Sequence, residues 1–356
     1  MPTSYDAFLS AAANDRRDAF TAAGAQLGAS ASNIEKDFWV CWTLNALFNG
    51  IPADGPRLLF KGGTSLSKGF GLISRFSEDI DVTVFRDDLV EGASIDALTA
   101  LSGKQRKAKI EQIKAACQLH IDGKLRTQLE TLLYAALDMA GIARTGCRIE
   151  LDADDPDKQT LLVWYPAVTT DGIAYIRPAV KIESGAKSAL DPHTPLKITP
   201  YVAAQLDDLD LSVANVTTVD AERTFWDKVV ILHGQRRWYE RRGALRGGGQ
   251  RVSRHYYDIH RLMQDGVSAK ALANAALGEN CITHARMFFN SADLDLASAK
   301  RGSFALAPTD AMKEPLKADY VAMAGMIFGE APDLDAVLAS VTNLQEQLNI
   351  LAQDAG

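Results

Sequence analysis

Residues 60–85 read FKGGTSLSKGFGLISRFSEDIDVTVF, and the order of small, apolar and acidic residues along this stretch decides the fold. In its second half Ile80, Val82 and Val84 fall at every second position, with Asp79, Asp81 and Thr83 between them. Side chains at i and i+2 of a strand share a face, so the spacing predicts a strand over 78–85 with one apolar face and one face carrying both carboxylates. Two parallel carboxylates repel, and on a covered face they are costly without a cation between them. Mg²⁺ suits such a pair, with water and substrate phosphates filling its other positions, and two such ions can hold the attacking and leaving oxygens of a phosphoryl or nucleotidyl transfer. Glu78 falls on the opposite face of a regular strand and is not counted as a ligand. Taken alone, an Asp-x-Asp pair is more often a solvated strand edge than a metal site.

Upstream, residues 57–60 read as a strand that runs into Lys61-Gly62-Gly63-Thr64-Ser65, with a helix expected over 66–71. Two glycines let a backbone turn tightly and approach a ligand with no Cβ in the way. The helix N-terminus then offers N–H groups and a positive dipole end to a phosphate. Thr64 and Ser65 add hydroxyl donors, and Lys61 can neutralise a phosphate or sit as a surface lysine at the strand end. The order Gly-Lys-Ser/Thr of a Walker A loop is absent. A glycine pair before a helix is by itself ordinary loop geometry. Set just before the carboxylate strand, with Arg75 between the two, it supplies what a triphosphate needs: N–H groups, a cation and a carboxylate-held metal.

Around this centre the chain divides by pattern. An Ala-rich segment over 5–27 and a second segment through Ile34, Phe38, Trp39 and Trp42, capped by Ser32 or Asn33, read as helices. Residues 94–143 read as helical, and 147–151, 161–165 and 173–183 as strands. Gly185, Pro192, Pro195 and Pro200 then mark a junction. From Asp220 the pattern is helical, interrupted over 236–255 by an Arg-rich, Gly-rich loop. The expected architecture is therefore α+β: a lobe with a mixed sheet and N-terminal helices over 1–200, then an α-helical lobe over 201–356.

Composition narrows the class. Of 356 residues, 47% are hydrophobic and 23% charged, which excludes a disordered chain or a coiled coil. A net charge of −7 excludes a generally basic nucleic-acid coat, so any such contact must be a local patch. Cys41, Cys117, Cys147 and Cys281 lie far apart, with no zinc or disulfide spacing, and the histidines form no metal pair. The N-terminus lacks a signal-peptide pattern and no apolar run suits a bilayer, so the expected setting is cytoplasmic with no membrane partner.

The stretch over 60–82 resembles the AbiEii family of nucleotidyltransferase toxins, which includes the MenT-type toxins, within the polymerase-β-like nucleotidyltransferase superfamily. The family's Gly-Gly-Thr-x-Leu motif is matched by Gly62, Gly63, Thr64 and Leu66. Its Arg-x-Thr-x-Asp-x-Asp motif is matched by Arg75, Ser77, Asp79 and Asp81, with serine replacing threonine at 77 and keeping the hydroxyl. Asp227-Lys228 in TFWDKVVILH and Asp258 in RHYYDIHRL fit its two later motifs, and IEKDFWVCWTL and VKIE also resemble it.

The resemblance implies a polymerase-β-like lobe and a metal-dependent transfer of nucleotides from an NTP to an acceptor, with pyrophosphate leaving. Mg²⁺ or Mn²⁺ would sit on Asp79 and Asp81, with Glu183 as a third carboxylate or, equally, a surface residue of a Lys/Glu strand edge. Gly62, Gly63, Thr64, Ser65, Lys61 and Arg75 would hold the NTP. Lys228 would contact its phosphates, and Asp258 would orient that lysine or the acceptor. The implied acceptor is RNA, with the tRNA 3′ end favoured, and the implied partner is a cognate antitoxin, in a toxin–antitoxin or phage-defence system. Arg236, Arg237, Arg241 and Arg242, interleaved with Trp238 and Tyr239, are the candidate RNA contacts, since guanidinium groups bind phosphates and rings stack on unpaired bases. The alternatives are transfer to a protein or small molecule, and an NTP-binding module that transfers nothing.

Overall fold

Strands β1 (Leu58–Lys61) and β2 (Asp79–Val84) pair antiparallel, with Phe60 opposite Val82 and Lys61 opposite Asp81. The alternation of β2 appears as expected: Ile80, Val82 and Val84 are buried, while Asp79 and Asp81 are partly exposed on the other face. The computed structural model describes residues 3–77, 79–169 and 177–350; Glu78, and positions 173–176 of the strand expected over 173–183, lie outside the described residues.

The chain divides into two compact units, residues 1–69 with 76–219, and residues 70–75 with 220–356. The first unit holds a seven-stranded mixed sheet in the order β3-β4-β5-β2-β1-β7-β6, completed by β3 (Arg148–Leu151), β4 (Thr160–Trp164), β5 (Ala179–Gly185), β6 (His193–Ile198) and β7 (Val213–Val219). β2 lies parallel to β5, and β1 parallel to β7. One face is a continuous apolar surface of Phe60, Ile80, Val82, Leu161, Val163, Val180 and Ile182, all buried. Each such side chain contributes about 1.5–3 kcal/mol when removed from water.

Helices α1 (Ser4–Ser10), α2 (Ala13–Leu27) and α3 (Ala31–Asn45) precede the sheet. Helix α3 packs on β5 and β7 and is the core element of this unit. Its Phe38 gathers Tyr5, Phe8 and Phe20 around it, and its Trp39 stacks on Tyr165 with ring centroids 5.2 Å apart. The α3 cap is Ser30, whose side chain accepts from the Asn33 N–H, rather than Ser32 or Asn33; Ser32 lies within the first turn and accepts from the Thr169 hydroxyl. The one-turn helix α4 (Gly62–Thr64) and a π-helical turn (Ser65–Gly69) stand where a helix over 66–71 was expected. The long helical region is α5 (Ile95–Ala100), α6 (Gly103–His120) and α7 (Arg126–Met139).

The Pro-rich stretch expected to be the lobe junction is instead strand β6. Pro195 is tolerated because, among the described strands, β6 lies at the sheet edge and pairs with β7 alone, the position in which a strand accepts proline. The contacts divide the chain after Val219 rather than near residue 200. The second unit is helical: α8 (Ala221–Arg242), α9 (Ser253–Gln264), α10 (Val267–Ala273), α11 (Ala275–Phe288), α12 (Asp310–Ala324) and α13 (Leu334–Ile350). Phe225, Val229 and Leu232 form the buried stripe of α8, as their spacing required. No helix among the described residues is long and apolar enough to cross a membrane.

Trp226 donates its indole N–H to the Ala271 carbonyl at 3.0 Å and lies flat on Gly278, where a Cβ would fall 2.7 Å from the ring. Gly278→Ala therefore lowers the denaturation midpoint of the chain, since overpacking costs about 1–3 kcal/mol and exceeds the ~1 kcal/mol of helix propensity gained. Gly325→Ala, where nothing lies within 4 Å of the new Cβ, serves as the control and leaves the midpoint unchanged or raised. Parallel urea titrations of the two variants check this.

Candidate active site

The turn after β1 is built around a carboxylate. Gly62 has φ +81°, a region that favours glycine, and a Cβ there would lie 2.1 Å from Asp81 Oδ2. The backbone of the turn thus rests on the Asp81 side chain, with no room for any other residue at 62. The Thr64 hydroxyl, fully buried, bonds the Asp79 carbonyl oxygen and meets Ser77 Oγ at 2.7 Å, while Ser65 Oγ donates to the Gly62 carbonyl at 2.9 Å. Both hydroxyls, expected as phosphate donors, have acceptors within the protein: Thr64 locks the turn to the strand, and Ser65 bonds within the turn. Ser77, in the position of the family's threonine, takes part in that lock.

The turn is also held from behind. The Lys68 side chain is buried, its ammonium 2.8 Å from Asp37 of α3 and 3.5 Å from the centre of the Tyr201 ring. Asp37 also accepts the Tyr201 N–H at 2.7 Å. Burial raises the Asp37 carboxyl against the opposing pull of Lys68, and the same pair keeps Lys68 above its ordinary value despite burial. A local signal marks Asp37: one helical turn to either side of it stand Ile34, Val40 and Cys41, all buried.

Across the sheet, register sets Asp81 between Lys61 and Glu183, and Asp79 beside Lys181. Residues opposite one another in register share a face, so the carboxylate expected at 183 does stand on the face of the Asp pair. It is occupied by a lysine: Lys181 Nζ lies 3.1 Å from Glu183 and 3.4 Å from Asp152. Burial works to lower the Lys181 ammonium, but Glu183, Asp79 and Asp152 outweigh it and hold it above its ordinary value. Lys61 Nζ lies 3.5 Å from Asp81. Asp79, Asp81, Glu183 and Asp152 against Lys61 and Lys181 leave two negative charges, −4 + 2, which one divalent cation would cancel. Among the described residues no three His, Cys, Asp or Glu groups converge as a ready metal cluster. A metal here would rest on Asp79 and Asp81, with the remaining positions left to water and substrate. Lys181 and Asp152 were missed by sequence reading because only the pairing of β5 with β2 reveals them.

The second unit contains its own constellation. Asp258, fully buried, accepts the fork of Arg75, Nε at 2.8 Å and Nη2 at 2.9 Å, and the Lys228 ammonium at 2.7 Å. Burial alone would raise the Asp258 carboxyl; Arg75 and Lys228 outweigh it and hold it far below the usual carboxylate range. Burial pushes the Lys228 ammonium down, with Asp258 opposing and Arg75 reinforcing the shift. Arg75, expected among the NTP contacts, is the carboxylate's partner. Asp227 pairs with Arg223 at 3.5 Å.

Of the loop expected over 236–255, residues 236–242 are the end of α8 and 253–255 the start of α9, while 243–252 connect the two helices. Arg236, Arg237, Arg241 and Arg242 lie in the last two turns of α8, because the helix runs on until Gly243 adopts a left-handed conformation. All four are engaged within the unit: Arg236 and Arg237 with Glu240, each at 2.9 Å, Arg241 with the Ala292 carbonyl and Arg242 with Asp293 at 3.0 Å.

A family model described as nucleotidyl transferase AbiEii toxin, type IV TA system, matches residues 45–340. No curated protein matches the chain. Among solved structures, MenT4, a nucleotidyltransferase toxin from Mycobacterium tuberculosis, is similar at 15% identity, over 90% of this chain and 93% of that one, with a TM-score of 0.39.

Two outcomes follow from this geometry. Gly62→Ala forces a Cβ into the Asp81 carboxylate, so NTP-dependent transfer falls at least ~100-fold while far-UV circular dichroism is kept, because displacing a reacting group by an ångström costs on that order. The Asp258 carboxyl has a folded value below its unfolded one, so its stabilisation is present above the ordinary carboxylate range and is lost as pH falls through that range toward the folded value. Asp258→Asn therefore unfolds more easily at pH 7, by about 3–5 kcal/mol, and lacks that part of the acid sensitivity of the parent. Denaturant midpoints across pH 2–7 read both effects.

Proposed function

The chain belongs to the AbiEii family of nucleotidyltransferase toxins, and on that premise we propose that it transfers a nucleotide from an NTP to an RNA acceptor, the tRNA 3′ end foremost, in a type IV toxin–antitoxin setting. The carrying observation is the apposition of the Gly62 backbone and the Asp81 carboxylate, which joins the turn and the acidic strand into one assembly. Asp79 and Asp81 would hold Mg²⁺ or Mn²⁺, and the ion would neutralise phosphate charge and polarise the phosphoryl group. The turn would contribute backbone N–H groups to the phosphates, since its hydroxyls are engaged inward. Lys61 would add positive charge beside Asp81. Glu183 would reach a metal only by exchanging Lys181 for it.

In the transfer, the acceptor hydroxyl oxygen bonds to the α-phosphorus, the bond to the α,β-bridging oxygen breaks, pyrophosphate leaves and the hydroxyl proton passes to solvent. Lys228 would offset charge on the phosphates, oriented by Asp258, which Arg75 keeps ionised. RNA contact by Arg236, Arg237, Arg241 and Arg242 would require them to exchange their present partners. That engagement, with a net charge of −7, favours a protein acceptor as the second reading. The antitoxin would be a separate protein that silences the same activity, and phage defence one use of the pair.

The test incubates the full chain with Mg²⁺, total RNA and each α-³²P-labelled NTP in turn, beside Asp81→Ala. Label in a small RNA from one NTP, with a blank control, is the expected result. A labelled protein band instead selects the second reading, and no label in any fraction overturns the transfer.

A further inference from the structure

We propose that Arg254, with His255 beside it, forms an oxyanion site in the helical unit that takes pyrophosphate, the leaving group of the transfer. The inference rests on the transfer reading above and adds a residue and a ligand to it.

Arg254 and Asp258 stand at i and i+4 of α9, and His255 and Asp258 at i and i+3, so the three line one side of the helix. Asp258 has both oxygens occupied: Oδ1 by Arg75, Oδ2 by Arg75 and Lys228. Arg254, one turn earlier, is a further cation close enough to act on Lys228 and His255. Its Nε is buried without a hydrogen-bond partner, and so is Nδ1 of His255. Orphaned arginine nitrogens occur elsewhere in the chain, at Arg16, Arg237 and Arg261; what distinguishes this pair is that the two lie next to one another beside the cations around Asp258, so their free groups can meet one ligand there.

The electrostatics agree with the geometry. Burial lowers the Lys228 ammonium, and Arg75 and Arg254 both oppose the pull of Asp258 on it. Burial, then Lys228 and Arg254, push His255 well below its ordinary value, so the imidazole is neutral at pH 7 and keeps one N–H to donate. The groups facing His255 are Lys228, Arg254 and Arg75 against Asp258 alone. Such a cluster favours an anion, and a guanidinium fork matches two oxygens of one phosphate. A phosphodiester offers one negative charge per phosphate, whereas pyrophosphate concentrates several in the same space, which selects pyrophosphate.

The test uses the full chain and inorganic pyrophosphate without metal, read by isothermal titration and by thermal melting. The parent binds and gains melting temperature. Arg254→Met binds at least tenfold more weakly and melts, without ligand, at the parent's temperature or above, because a poorly compensated cation has gone. Arg254→Lys, with charge but no fork, falls between. Equal affinity in Arg254→Met, or no binding by the parent at millimolar pyrophosphate, overturns the site. A short oligoribonucleotide whose binding alone depends on Arg254 overturns it too, in favour of an RNA phosphodiester. The labelling assay fails separately: RNA labelled by a parent that ignores pyrophosphate removes only this inference. Pyrophosphate held through Arg254 with no label anywhere keeps the site and removes the transfer.

Discussion

The contact between the Asp81 carboxylate and the Gly62 backbone is the constraint on which the first unit is organised. It demands a residue without a side chain at 62, and a positive φ there that glycine tolerates. It demands that β1 end where β2 carries its second carboxylate, which the pairing of Lys61 with Asp81 provides. It also fixes the direction in which the chain leaves the strand, into a turn whose Thr64 hydroxyl reaches back to the Asp79 carbonyl. A site assembled from two strands and a turn is rigid only when each part is tied to the next, and here the ties are a backbone contact, a ladder and a buried hydroxyl.

The helices supply what the sheet cannot. α3 covers the apolar face with aromatic side chains and sends Asp37 to the buried ammonium of Lys68. A buried ion pair is weak evidence for net stability, because desolvation offsets most of the attraction. Its worth here is positional: Lys68 follows the glycine turn by a few residues, and an ammonium held by a carboxylate, a backbone-bonded one at that, fixes where the turn lies relative to the helix.

Much of this was legible in the sequence. The alternation of Ile80, Val82 and Val84 with two aspartates specified the strand and its faces, and the glycine pair specified the turn, because both are local signals of period and conformation. The helical stripe of α8 was equally local. What was not legible depended on partners distant in the chain. Lys181 and Asp152 join the acidic face only through the pairing of β5 with β2 and the turn after β3. The hydroxyls of Thr64 and Ser65 read as phosphate donors, but the Asp79 carbonyl of the next strand accepts the one and the Gly62 carbonyl of the turn itself accepts the other. β6 hid behind its proline, since an edge strand tolerates what a central strand would not. The arginines over 236–242 read as a loop because their charge resembles solvent-facing linker, whereas Glu240, Asp293 and two backbone carbonyls receive them on a helix and its neighbours.

Each unit carries an electrostatic imbalance of opposite sign. On the sheet, carboxylates outnumber the lysines among them, and Lys181 is the cation that keeps Glu183 and Asp152 satisfied. On α9, cations crowd one carboxylate, and the Lys228 ammonium is pushed down as a result. Neither imbalance suits a protein whose only task is to be stable, since like charges at close range raise the energy of the folded chain. A cation would relieve the imbalance of the sheet and an oxyanion that of α9, the two kinds of charge that the proposed metal and pyrophosphate carry.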